Sequence, residues 1–329
     1  MNDNWDMLGH EWAVDMLHRH AANSEVRHAY LFCGPPGLGR RTLALRLAQA
    51  LNCASPVKAG VPCGACRACK QIEAMRHPDL SVIQAESEGA TLKVDQVREV
   101  RHTLSLKPYQ SSHRVALFLR FQEANDNAAN ALLKTLEEAP AYAVLMLTAD
   151  NPEGLLPTIV SRCEVLRLRP IPVRLIEEDL TGRGADPQQA RLVAHISGGR
   201  PGYARRLVEN PTLLDQREQR LNDLQTLLPA PRVEKFSYAD KLSKDRYSMR
   251  QTILIWLSYW RDVMLRAAGA NAPLVNIDRN MEIEFLAGRL NLSTVKRVVT
   301  DLEAALEKME RNVNARLLAE VLLLDWPKT

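Results

Sequence analysis

The chain has 329 residues, 46% hydrophobic and 25% charged, a balance that calls for two or three globular domains and excludes a disordered or fibrous chain. Its formal net charge of +4 permits an acidic partner without demanding one. No run approaches the ~18 apolar residues of a membrane span, and the N-terminus lacks the basic and apolar regions of a signal peptide, so a cytoplasmic protein with no membrane partner is expected.

Residues 9–22 carry helical periodicity, and His28-Ala29-Tyr30-Leu31-Phe32-Cys33 is apolar enough for a short buried strand. Gly34-Pro35-Pro36-Gly37-Leu38-Gly39-Arg40-Arg41-Thr42 follows, and residues 43–51 resume helical spacing. Strand, glycine loop and helix in that order are the setting of a phosphate loop, in which converging amides and a helix start favour an anion. The match fails where catalysis would begin. In G-x-x-x-x-G-K-[ST] a lysine reaches the terminal phosphates and a hydroxyl holds magnesium; Arg40 and Arg41 stand there instead. Arg40 retains the charge with a different geometry, Arg41 cannot ligate magnesium, and Thr42 comes one residue late, turned about 100° around the helix. Gly34, Gly37, Gly39, Arg40, Arg41 and Thr42 are therefore expected to form a degenerate nucleotide loop that accepts ATP or ADP with little or no hydrolysis. A glycine turn that merely packs strand on helix is the plainer alternative.

Cys53, Cys63, Cys66 and Cys69 follow with C-x9-C-x2-C-x2-C spacing. Thiolates two residues apart can grip one ion, and four complete a closed tetrahedral zinc site with no open position, hence a structural role. The usual iron–sulfur run, C-x2-C-x2-C-x3-C-P, is absent. Residues 79–83 and 92–94 read as strands, with Asp95 as the cap of a helix over 96–106. His77, before Pro78, reads as a hydrogen-bonded turn residue, and Arg98, Arg101, Lys107, His113 and Arg114 as a solvated basic face.

Residues 114–121, R-V-A-L-F-L-R-F, read as a buried parallel strand. In a nucleoside triphosphatase such a strand ends in acidic groups that position magnesium and water, but Leu119-Arg120-Phe121 stands here, and Glu123 and Asp126 read as caps. A helix over 127–138, a strand over 142–148, the segment Ser161-Arg162-Cys163 and a closing strand over 165–168 complete an alternating α/β layer.

Together the glycine loop, the inserted cysteine quartet, Asn130-Ala131-Leu132-Leu133-Lys134-Thr135-Leu136-Glu137-Glu138 and Ser161-Arg162-Cys163 resemble the clamp-loader branch of the AAA+ ATPases. The likeness runs from Gly9 to the last helix with Asn312-Val313-Asn314. It implies an α/β AAA+ P-loop domain with a zinc module over 1–169, a small helical lid domain over 170–208 and an all-α collar domain over 209–329. It also implies a five-subunit loader with delta and gamma/tau subunits that places a sliding clamp on primed DNA. Gamma/tau subunits keep the lysine-threonine loop and an aspartate-glutamate pair, so this chain is the better match to a non-hydrolysing member that is no enzyme on its own. Arg162, flanked by Ser161 and Cys163, would be an arginine finger offered in trans to a neighbour's ATP. Arg200 stands near a nucleotide-sensing arginine of active relatives, although the glycines and Pro201 around it read equally as a helix-entry turn. Ile253, Trp256, Leu257, Trp260 and Met264 form an apolar stripe that reads as core.

Overall fold

The computed structural model describes residues 4–87, 89–310 and 313–327; Asn312 lies outside the described residues. The chain divides into two compact units, one reaching Asp179 and including Gly199–Tyr203, the other comprising Leu180–Gly198 and the chain from Ala204 onward.

In the first unit the order is α1 (Glu11–Ala22), β1 (Ala29–Cys33), α2 (Arg40–Asn52), α3 (Arg67–Glu73), β2 (Leu80–Ile83), α4 (Val94–Ser105), β3 (Arg114–Phe118), α5 (Asp126–Glu138), β4 (Ala143–Ala149), α6 (Pro157–Val160) and β5 (Glu164–Arg167). The strands form one parallel sheet in the order β2-β3-β4-β1-β5. Because β1, β3 and β4 are buried along their whole length, they read as continuous apolar runs rather than alternating ones. Alternation survives in what each side chain touches. Tyr30, Phe32, Leu117 and Met146 pack with Leu43 and Leu47 of α2, whereas Leu31, Ala116, Phe118 and Leu145 pack with Val100 of α4 and Leu132 of α5.

Several expectations change here, among them the strand over 92–94: Leu92 keeps only an isolated bridge to Ala124, and Val94 already opens α4. The strand predicted to reach residue 121 stops at Phe118, because the Arg120 backbone turns left-handed (φ 52°) and its N–H donates to Thr148 Oγ1 at 2.9 Å before a 3-10 turn at Phe121–Glu123. The fourth helix starts at Val94, so Asp95 lies in its first turn; the Lys93 N–H is satisfied by Gln96 Oε1 at 3.0 Å. Arg114 is buried rather than part of a solvated face. Its guanidinium lies 3.3 Å from Asp79 Oδ1 and donates to the carbonyls of Thr103 and Lys107. The buried Asp79 carboxylate also accepts from the backbone N–H groups of Tyr109, Gln110 and Ser111, which draws the loop before β3 onto the sheet edge. His77 is the hydrogen-bonded turn residue expected: its Nδ1 accepts from Asp79 N–H at 3.1 Å.

The remaining helices are α7 (Val173–Gly182), α8 (Pro187–Ile196), α9 (Pro201–Glu209), α10 (Thr212–Leu227), α11 (Arg232–Leu242), α12 (Arg246–Ala267), α13 (Asn280–Arg289), α14 (Leu292–Glu310) and α15 (Ala315–Leu324). In the second unit the stripe of α12 is core, as its spacing required. Ile253, Trp256, Leu257 and Trp260 are buried and Met264 packs against them. Trp326 stands edge-on to Trp256 with ring centroids 4.8 Å apart, and Trp256 Nε1 donates to Arg220 O at 2.8 Å. Arg217, buried in α10, is held by Asp278 at 2.7 Å and by Asn276.

Candidate functional site

The loop between β1 and α2 holds Gly34, Gly37 and Gly39 at φ of 141°, 93° and 95°, a region that L side chains rarely adopt. Gly37 is crowded as well as strained. A Cβ there would stand 2.9 Å from the Tyr203 backbone N, and its carbonyl accepts from Gly202 N–H at 2.8 Å, so the first turn of α9 lies directly on the loop. Arg200 stacks over the Tyr203 ring with its guanidinium carbon 4.5 Å from the centroid, while Pro201 opens α9.

Arg40 opens α2 with its guanidinium almost out of water, 10% exposed, and NH1 donates to Asp150 Oδ1 at 2.9 Å. Asp150 directly follows β4, which neighbours β1, so the carboxylate stands beside the loop at the end of the sheet where strand ends converge. The cation in the lysine position is thus already neutralised by a carboxylate of its own chain. Arg41 is exposed and Thr42 half-buried. At the other catalytic position, beyond β3, Arg120 Nε donates to Glu123 Oε1 at 2.9 Å, and the same oxygen accepts from Gly89 N–H. Neither Glu123 nor Asp126 is the cap expected of it. Asn125 caps α5, its side chain accepting from Ala128 N–H at 2.8 Å.

Arg162 lies between α6 and β5, and its guanidinium makes two bonds on different elements. NH1 donates to Thr158 O at 2.9 Å and NH2 to Glu137 Oε1, at the end of α5, at 2.6 Å. Ser161 is exposed, its hydroxyl donating to Thr158 O at 3.2 Å. Burial pushes the Cys163 thiol up to about 12, with the Cys33 thiol adding to the shift, so Cys163 is a neutral packing group at neutral pH. Neither bond of Arg162 reaches the glycine loop.

The four cysteines do come together. Their Sγ atoms all lie within 4.8 Å of one another and carry no disulfide. Cys53 to Cys63 measures 3.5 Å, Cys53 to Cys66 3.9 Å and Cys63 to Cys69 4.0 Å. Four sulfurs bonded at about 2.3 Å to a tetrahedral ion stand about 3.8 Å apart, so the cluster has the dimensions of a four-thiolate metal site. Backbone amides of Cys66 and Ala65 pull the Cys63 thiol down to about 6 and favour the thiolate that a metal needs. The module is anchored to the first two helices and to the segment before them. Gln49 Nε2 donates to Cys69 O at 2.8 Å, His18 Nε2 to Ala59 O at 2.7 Å and Trp5 Nε1 to Gly60 O at 3.2 Å.

Two partners escaped the sequence, Asp150 and Glu137. Each lies far along the chain from the arginine it holds, and only the adjacency of strands and helix ends, which spacing does not encode, brings them together.

A parallel sheet in this strand order, with a glycine loop between β1, flanked by β4 and β5, and the following helix, defines a P-loop protein of the AAA+ class, here with a four-cysteine module inserted after the loop helix. Residues 9–172 match the family model for the DNA polymerase III delta subunit, and residues 211–328 that for its C-terminal region. The chain is 31% identical to the DNA polymerase III subunit delta' of Pseudomonas aeruginosa over 96% of both chains. It is 32% identical to the delta' subunit of Escherichia coli K12, over 90% of this chain and 88% of that one. The tau subunit of Escherichia coli K12 matches at 34% identity, but over only 53% of this chain and 27% of its own. The chain belongs to the DNA polymerase III delta' family, and the match to tau ends with the region the two share.

Proposed function

We propose that this chain works in the clamp loader as a subunit that hydrolyses no ATP itself and presents Arg162, within Ser161-Arg162-Cys163, to the ATP of a neighbouring gamma/tau subunit. The single observation that carries the first half is the Arg40–Asp150 pair. The Arg40 guanidinium is paired with its own chain's carboxylate and is only 10% exposed, so it has little left to offer a phosphate, and the glycine loop of Gly34, Gly37 and Gly39 is covered by the turn that opens α9. Arg120, bonded to Glu123 where a catalytic acid would stand, agrees with this reading.

Support for the second half is the setting of Arg162. It is half-exposed at a helix–strand corner, fixed by two bonds yet not buried. A guanidinium brought to a γ-phosphate neutralises charge developing in the transition state, an effect worth about 10³ to 10⁵ in rate in known systems. In the cysteine module, Cys53, Cys63, Cys66 and Cys69 would hold zinc as a structural ion, since four protein ligands leave no position for substrate. The partners are delta and gamma/tau subunits, with the sliding clamp and primed DNA reached through the assembly. Residues 170–208 act as the lid region and 209–329 as the collar region of that assembly.

The test is Arg162→Ala in a loader reconstituted with delta and gamma/tau. DNA-stimulated ATPase and clamp loading should both fall by at least an order of magnitude, a floor well beneath the about 10³-fold low end of an arginine finger's contribution. Undiminished rates in an intact assembly would remove the assignment.

A further inference from the structure

We infer that Glu137 is a positioning residue for Arg162; this rests on reading Arg162 as a guanidinium delivered to a neighbouring subunit's nucleotide. A guanidinium is a rigid plane with five N–H donors, and one anchor leaves it free to swing about that bond. Here there are two. Thr158 O, on the short helix just before Arg162, accepts from NH1 at 2.9 Å, and Glu137 Oε1, on a different element 25 residues earlier, accepts from NH2 at 2.6 Å. Together they fix the position and the tilt of the plane and leave its other donors for an incoming phosphate.

Two features show that Glu137 is not there for stability. The pair is open to water, with side chains 37% and 51% exposed, the kind of ion pair that contributes little to folding. Glu137 also sits in the last turn of α5, where the partial negative charge of the helix end disfavours a carboxylate. The adjacent Glu138 is answered locally by Lys134, one turn back at 3.9 Å, whereas Glu137 reaches across to the arginine. A carboxylate in an electrostatically poor place, spent on one guanidinium, orients that guanidinium.

The test uses the reconstituted loader with Glu137→Ala, Glu137→Gln, Arg162→Ala and the double variant, each assembly purified intact. Loss of one of two anchors frees rotamers of a long side chain, so Glu137→Ala should lower kcat for DNA-stimulated ATP hydrolysis about tenfold and leave KM for ATP unchanged. Glu137→Gln keeps an acceptor oxygen at the same reach and should stay within about twofold of the parent. Glu137→Ala should add nothing to Arg162→Ala, because it acts only through that side chain. A Glu137→Ala loader as fast as the parent beside a slow Arg162→Ala loader would overturn the positioning role alone. So would a Glu137→Gln loader as slow as Glu137→Ala, or a further loss in the double variant. An undiminished Arg162→Ala loader would overturn the finger reading and this inference with it.

Discussion

Replacing Asp150 with alanine removes the one carboxylate that, among the described residues, is bonded to the Arg40 guanidinium, which is 10% exposed. Stripping one partner from a buried pair costs about 3–5 kcal/mol, because the remaining charge is left without water or counter-ion. Asp150 is itself 30% exposed, so water reaches the gap it leaves, and about 2 kcal/mol is the expected loss. For a unit of this size that lowers the melting temperature by about 4–8 °C. The same substitution leaves Arg40 uncompensated at the start of α2, where Gly39 caps the helix without a side-chain bond and the helix field favours an anion. Millimolar inorganic phosphate or ADP should therefore raise the melting temperature of Asp150→Ala in differential scanning fluorimetry and leave the parent nearly unmoved. A variant as stable as the parent, or a parent that responds to the anion as strongly as the variant, would refute the idea that Asp150 occupies the place of the phosphate.

With zinc in the four-thiol site as proposed, Cys66→Ser should lower the zinc content of the purified chain, read with a chromogenic chelator, and lower the melting temperature, since the module that anchors to Gln49, His18 and Trp5 loses its centre. Trp256→Ala should cost about 3–5 kcal/mol in urea unfolding, because a fully buried indole stacked edge-on to Trp326 leaves a cavity and the Arg220 carbonyl loses its donor. Asn125→Ala, which removes the cap of α5, should cost about 1 kcal/mol in the same assay. Burial holds His10, His77 and His113 below the ordinary 6.5, so the folded chain refuses protons that the unfolded chain accepts. Their contribution to stability is complete above pH 6.5 and declines as pH falls below it, so the urea midpoint should be lower at pH 5.5 than at pH 7.5.

Much of the fold could be read in the sequence where one physical cause dominated. Continuous apolar runs marked β1, β3 and β4, the 3.6-residue stripe of Trp256 and Trp260 marked a core helix, and cysteine spacing brought four thiols into one cluster. Element ends were harder, because they depend on a single tertiary bond. Thr148, on the neighbouring strand, decides where β3 stops, and Gln96 rather than Asp95 satisfies the start of α4. Arg114 read as a surface cation until Asp79, drawn in by three backbone amides, supplied it with a buried partner. The residues of the candidate sites were visible, yet what each is bonded to was not. That Arg40 faces Asp150 and Arg162 faces Glu137 follows from which strand and helix ends meet, and those meetings are made by the fold as a whole.

The proposed role requires above all that the chain have no ATPase centre of its own. Steady-state ATP turnover by the purified chain, with magnesium and primed DNA and without its partners, measures this directly. No release of phosphate above the protein-free blank is expected; magnesium-dependent turnover abolished by Arg40→Ala would contradict the proposed role.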